Sequence, residues 1–132
     1  MTFSYREITP GIIRPIIPII LKVEHKFALY SALIDSGADH CIFSIEVAKL
    51  LDINTLHKKV TLSGISAQKV VGYLGSIEIT IDQITYKLKA VFADIADFGH
   101  GILGQKGFFD HFDVKLSYNK QIIELESITN QN

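Results

Sequence analysis

The alternation of apolar and polar residues in the middle of the chain has the period of a β-strand. Ile77, Ile79 and Ile81 alternate with Glu78, Thr80 and Asp82. Successive side chains of a strand point to opposite faces, so this pattern buries one face and leaves the other wet. After Asp82-Gln83 the alternation resumes through Ile84, Tyr86, Leu88, Ala90 and Phe92, which predicts a hairpin turning at those two residues. The same logic pairs residues 19–23 with 27–34 across the polar turn Glu24-His25-Lys26. It also pairs 112–116 with 121–125 across Ser117-Tyr118-Asn119-Lys120.

Helical spacing is scarce. Ser44 can cap a short helix whose apolar positions Val47, Ala48 and Leu51 share a face, and residues 107–112 have room for one or two further turns. Six or more short strands with one or two short helices predict an all-β protein, a closed and mostly antiparallel β-barrel. The apolar run 12–21 contains Arg14, Pro15 and Pro18, and ahead of it Arg6 is offset by Glu7. It falls well short of the roughly 20 residues of a spanning helix, so it reads as a strand with its entry loop. No linker, low-complexity run or charge block divides residues 1–132, which predicts a single domain.

Composition narrows the partners. With 132 residues, 48% of them hydrophobic, one core of ordinary size can form. Thirteen basic against fourteen acidic residues leave a net charge of −1, so neither nucleic acid nor a membrane surface is an expected partner. The lone Cys41 has no internal disulfide partner, and a reducing, cytoplasmic location is expected.

The chemistry concentrates at Asp35-Ser36-Gly37-Ala38, preceded by the apolar Ala32-Leu33-Ile34 and followed by Asp39. A carboxylate placed just after a buried strand, with a hydroxyl beside it and small residues behind it, can meet a second carboxylate at close range. Peptide hydrolysis by carboxylates needs two of them sharing a proton, and the motif occurs once, so one chain holds half a site. Elsewhere an Asp-Ser-Gly sequence commonly serves only as a turn. A weak internal echo sets this motif apart: 33–37 and 101–104 each end a buried strand at a glycine and precede a helical segment.

Four other patterns carry less. Ser36, Asp39 and His40 are neighbours on an extended chain, where side chains diverge, and so do not make a hydrolytic triad. Gly99-His100-Gly101-Ile102-Leu103-Gly104 fits a dinucleotide-binding spacing, yet no long helix or second parallel strand follows. His25, His40, His57, His100 and His111 lack ligand spacing, so no metal and no cofactor is expected. Phe98, Phe108, Phe109 and Phe112 read as core.

Asp35-Ser36-Gly37-Ala38 together with Ile102-Leu103-Gly104 resembles the retropepsin-like aspartic protease family over about residues 15–126. The resemblance implies an acid-protease barrel and an aspartic endopeptidase that works as a homodimer on a peptide or protein substrate. Asp35 would be catalytic, one from each copy. The Ser36 hydroxyl would bond across the dimer axis, and Gly37 would admit the substrate backbone and offer its carbonyl. Asp39 would bind the backbone of an extended peptide, with Ala38, Ile42, Ile65 and Ile102 lining apolar pockets. Residues 60–71 would form a flap whose tip, Gly64, Ile65 and Ser66, closes over substrate. The alternative from another class is a dimer of the same fold that binds peptides as a scaffold without cutting them.

Two departures from the family pattern stand out. Many retropepsins carry an arginine after the apolar-apolar-glycine step, paired with the aspartate matching Asp39, whereas this chain has Gln105. In addition, residues 112–125 read as a full hairpin in place of the short final strand that interleaves in retroviral dimers. Residues 126–132 are polar and expected to fray.

Overall fold

Isoleucine at every second position makes the longest ladder. In the computed structural model, which describes residues 1–53, 58–62, 70–95 and 99–128, β8 (Val70–Ile81) and β9 (Ile84–Ala93) pair antiparallel, with Ile81 opposite Ile84. Ile77, Ile79 and Ile81 are buried, as expected. The turn falls at Asp82-Gln83, where Asp82 takes the left-handed backbone at φ 55°.

Two more expected hairpins are present. β4 (Ile16–Val23) pairs with β5 (Lys26–Ile34), so the turn is Glu24-His25, one residue shorter than expected. Pro18 lies where β8 does not reach β4, and its missing N–H costs no bond to that neighbour. β11 (Phe112–Ser117) pairs with β12 (Ile122–Ser127). This last strand runs to Ser127, so Glu126 and Ser127 are ordered by pairing and not frayed; residues 129–132 lie outside the described set.

Strand order closes the barrel. The ring runs β4, β5, β10 (Gly101–Leu103), β6 (Ile42–Ser44), β9, β8 and back to β4, through Ile20–Lys22 against Glu78–Thr80. β7 (Lys58–Leu62) adds to the far edge of β8. Most pairings are antiparallel, but β10 lies parallel to β5 and β6 parallel to β9.

Ser44 caps the only helix among the described residues, α1 (Ile45–Leu50), its side chain accepting from the Glu46 N–H at 3.2 Å. Residues 105–111 form a succession of turns and not a second helix, interrupted where Gly107 takes φ +100°. Residues 2–9 were not expected to form strands, nor was β6, while 12–14 fall in the run read as a strand with its entry loop. β1 (Thr2–Ser4) joins β12 in a three-stranded sheet, and β2 (Arg6–Thr9) with β3 (Ile12–Arg14) forms a separate two-stranded one.

The main core gathers Leu21, Phe43, Ile79, Phe92, Leu103, Phe108, Phe112 and Ile123, with Val47 and Ala48 of α1 and its C-cap Leu51 closing it. A second buried cluster lies on the opposite face of β6, β9 and β10, where Ile42, Val91, Ala93 and Ile102 pack with Leu62 and Ile95. These strands are covered on both faces. That is why residues 90–93 turn continuously apolar where a one-sided strand would alternate.

Cys41 sits in this interior, and burial pushes its thiol up to about 12 from the usual 9.0, opposed by a backbone hydrogen bond from Gly104. The folded chain therefore keeps the thiol neutral at pH values where the unfolded chain ionises it. Stability linked to Cys41 is complete below about pH 9.0 and is lost as pH rises toward about 12. Thiol reagents at pH 8 are expected to spare the native protein and label it in denaturant. The urea midpoint should fall progressively above pH 9, less steeply in Cys41→Ala.

Candidate active site

β5 ends in the apolar Ala32-Leu33-Ile34 and then breaks at Asp35-Ser36-Gly37, because a carboxylate and a glycine favour a turn over continued pairing. Two backbone contacts place the break. The Ile34 N–H donates to the Pro15 carbonyl and the Asp35 N–H to the Leu103 carbonyl, each at 3.0 Å. β10 thus lies beside the last turn of the chain before Asp35, with Ile102 in register with Leu33 and Leu103 with Ile34.

The loop is fastened on its other side as well. The Gln105 N–H donates to the Ala38 carbonyl at 2.8 Å and the Lys106 N–H to the Asp39 carbonyl at 2.9 Å, while Cys41 accepts from the Val91 N–H at 2.9 Å. This close approach requires glycine at position 104, since a Cβ there would run into the carbonyl oxygens of His40 and Ala38.

Within the loop, Asp35 Oδ1 accepts the Gly37 N–H at 2.9 Å, and the Ala38 N–H donates to the Asp35 carbonyl at 3.2 Å. The second carboxylate oxygen has no hydrogen-bond partner among the described residues. Asp35 is half-buried, while Ser36, Gly37 and Asp39 are exposed. Neither the Ser36 hydroxyl nor the Asp39 carboxylate is bonded to another described residue, and Ser36 makes no hydrogen bond to His40.

The structure brings some expected site residues together and not others. Ala38 packs against the buried cluster that holds Ile42 and Ile102, which are 2% and 4% exposed and so present almost no surface. β7 and the start of β8 pair from Lys58 opposite Leu74 to Leu62 opposite Val70. Gly64, Ile65 and Ser66 lie outside the described residues.

Gln105, which sequence reasoning marked only as a lost charge opposite Asp39, has a partner of its own. Its amide does not turn to Asp39; Nε2 donates to the Ser36 carbonyl at 2.7 Å and ties the exit of β10 to the Asp35 loop. A guanidinium seeks a carboxylate, whereas a neutral amide is satisfied by a carbonyl. The signal was the replacement of arginine by an amide at this position.

Comparisons agree with this architecture. The sequence model of the aspartyl protease family matches residues 22–106, more than half of the chain, and the chain belongs to that family. Its fold is similar to a retropepsin-like aspartic protease from Rickettsia conorii, with TM-score 0.63 and 16% identity over 95% of this chain and 88% of that one. It is also similar to the EIAV protease complexed with the inhibitor HBY-793, with TM-score 0.50 and 21% identity over 70% and 82%. At these identities the likeness concerns the fold. No curated protein matches the sequence.

Removing the fastenings should loosen the loop in proportion to what each one does. Gln105→Ala is expected to cost about 0.5–1.5 kcal/mol, the value of one hydrogen bond. Gly104→Ala forces backbone apart and should cost about 1–3 kcal/mol. Urea unfolding of both variants checks the order.

Proposed function

We propose that the protein is an aspartic endopeptidase that acts as a homodimer, each copy a single-domain unit supplying one Asp35. The observation that carries this reading is the Asp35 carboxylate itself. It is half-buried at the end of a core strand, one oxygen is held by the Gly37 N–H, and the other is unclaimed among the described residues of a chain in the aspartyl protease family. One such group cannot both accept a proton from water and donate one to a carbonyl.

Two Asp35 side chains at close range hold one proton between them, because like charges so near do not both ionise. The ionised partner takes a proton from a water placed between them as that water attacks the scissile carbonyl. The protonated partner gives its proton to the carbonyl oxygen, and a neutral gem-diol forms without a covalent intermediate. Its collapse returns a proton to the leaving nitrogen and separates the two new termini.

Supporting roles follow from position. Ser36 and Gly37 form the loop that presents the carboxylate, and the free Ser36 hydroxyl suits a bond to the opposite loop. Asp39 is exposed for the peptide backbone. Ala38 lines the apolar floor, with the buried Ile42 and Ile102 packed behind it, and Gly64, Ile65 and Ser66 are assigned to the cover. The substrate is an extended peptide entering as an added strand.

Asp35→Asn keeps the side-chain shape and removes the proton chemistry. Cleavage of a peptide library, followed by mass spectrometry from acid to neutral pH, is expected to fall by about 10²–10⁴-fold or more. The dimer should persist in sedimentation. Intact peptides at every pH, with a stable peptide complex, would instead identify a scaffold.

A further inference from the structure

The chain that leaves β10 is gripped a second time beyond Gln105. Past Lys106 it turns at Gly107, which is buried and has φ +100°, and a Cβ there would run into the Leu88 side chain. Buried backbone groups need partners. Side chains supply both of them here: the Gly107 N–H donates to Asp110 Oδ1 at 2.9 Å, and its carbonyl accepts from the Tyr86 hydroxyl at 2.7 Å. Burial pushes that hydroxyl well above its ordinary range, so it stays a donor at any working pH.

A third residue joins these two. His111 Nδ1 lies 2.7 Å from Asp110 Oδ1, and its ring stacks on Tyr86 with centroids 4.2 Å apart and planes 20° from parallel. A carboxylate only accepts, so Nδ1 carries the hydrogen. Tyr86, Asp110 and His111 thus hold one peptide unit from above and below, and each of the two that touch it is held by His111.

What they hold is the support of the Asp35 loop. Gln105 and Lys106 make the hydrogen bonds to the carbonyls of Ser36, Ala38 and Asp39, yet both are exposed, so the core does not fix them. They are fixed from their ends instead. Gly104 lies against residues 38–40 on one side, and Gly107 lies in the grip of Tyr86 and Asp110 on the other. The Asp110 N–H also returns to the Gln105 carbonyl at 3.2 Å.

We propose that Tyr86, Asp110 and His111 are positioning residues for the Asp35 carboxylate, acting through Gly107 and the two residues before it. The inference rests on the endopeptidase reading given above and adds to it residues that make no hydrogen bond to the Asp35 loop among the described residues. Two carboxylates sharing a proton around one water are sensitive to placement, since an error of about 1 Å can cost about 10²-fold in rate. Binding of an extended peptide is spread over many contacts. Loosening the grip therefore lowers kcat and leaves KM nearly unchanged.

Three substitutions test this. Tyr86→Phe removes the hydroxyl and keeps the ring under His111, Asp110→Ala removes the acceptor, and Asp110→Asn keeps an oxygen where the Gly107 N–H points. On a library peptide that the wild-type chain cleaves, Tyr86→Phe and Asp110→Ala are expected to lower kcat by about tenfold or more with KM within about twofold, and Asp110→Asn to restore most of the loss. Amide exchange gives a readout free of catalysis: the Gln105 and Lys106 N–H groups should exchange about tenfold faster in the first two variants, with the β8–β9 ladder unchanged. Circular dichroism and sedimentation confirm that each variant folds and assembles as the wild type does, and Tyr86→Phe, which deletes one oxygen, decides if Asp110→Ala does not fold. An unchanged kcat, a loss that Asp110→Asn shares in full, or Gln105 and Lys106 amides as protected as before overturns the positioning role and leaves the endopeptidase reading standing. A wild-type chain that cleaves no peptide overturns the endopeptidase reading, and amide exchange still decides for or against the grip on the loop.

Discussion

The structure depends on three residues of parallel pairing between β10 and β5, ending in the hydrogen bond from the Asp35 N–H to the Leu103 carbonyl. Parallel pairing cannot be made by a tight turn; it needs a long crossover. Here the chain between Ile34 and Gly101 supplies α1 and the long β8–β9 hairpin before returning beside β5. The barrel is therefore assembled around the loop that carries the carboxylate. Gly104 is the point at which the returning strand passes within backbone distance of residues 38–40.

A loop fastened in this way differs from an ordinary surface turn. Its carbonyls at Ser36, Ala38 and Asp39 are each taken by residues 105–106, and its first N–H by Leu103. Most of the loop's carbonyls are taken within the chain, which leaves one oxygen of Asp35 and the Ser36 and Asp39 side chains unspent among the described residues. An arrangement that fixes the main chain and frees the side chains is what a preorganised site requires.

The hairpins were legible because one-sided burial imposes a period of two, and β8, β9, β4, β5, β11 and β12 all carry it. Asp35 was legible because an acid after three apolar residues is at odds with continued burial. The pattern gave no warning of the double coverage of β6, β9 and β10, since a continuous apolar run fits several structures. β1 and β2 were invisible for another reason: strands of three and four mostly exposed residues hold too little apolar surface to leave a period. Gln105 was read as a lost charge because its partner, the Ser36 carbonyl, is a backbone group found only once the strands are in place.

The barrel is closed by a short seam, three residue pairs joining β4 to β8 at Ile20–Lys22 and Glu78–Thr80, whereas β8 and β9 share ten. Cooperative resistance to opening is therefore uneven around the ring. The ladder around β10 is no longer than this, three pairs to β5 and one to β6, so that strand is held beside Asp35 by its buried Ile102 and Leu103 and by the hydrogen bonds of the loop. Packing at the centre of the cylinder, more than an unbroken ladder around its wall, fixes where the acid stands.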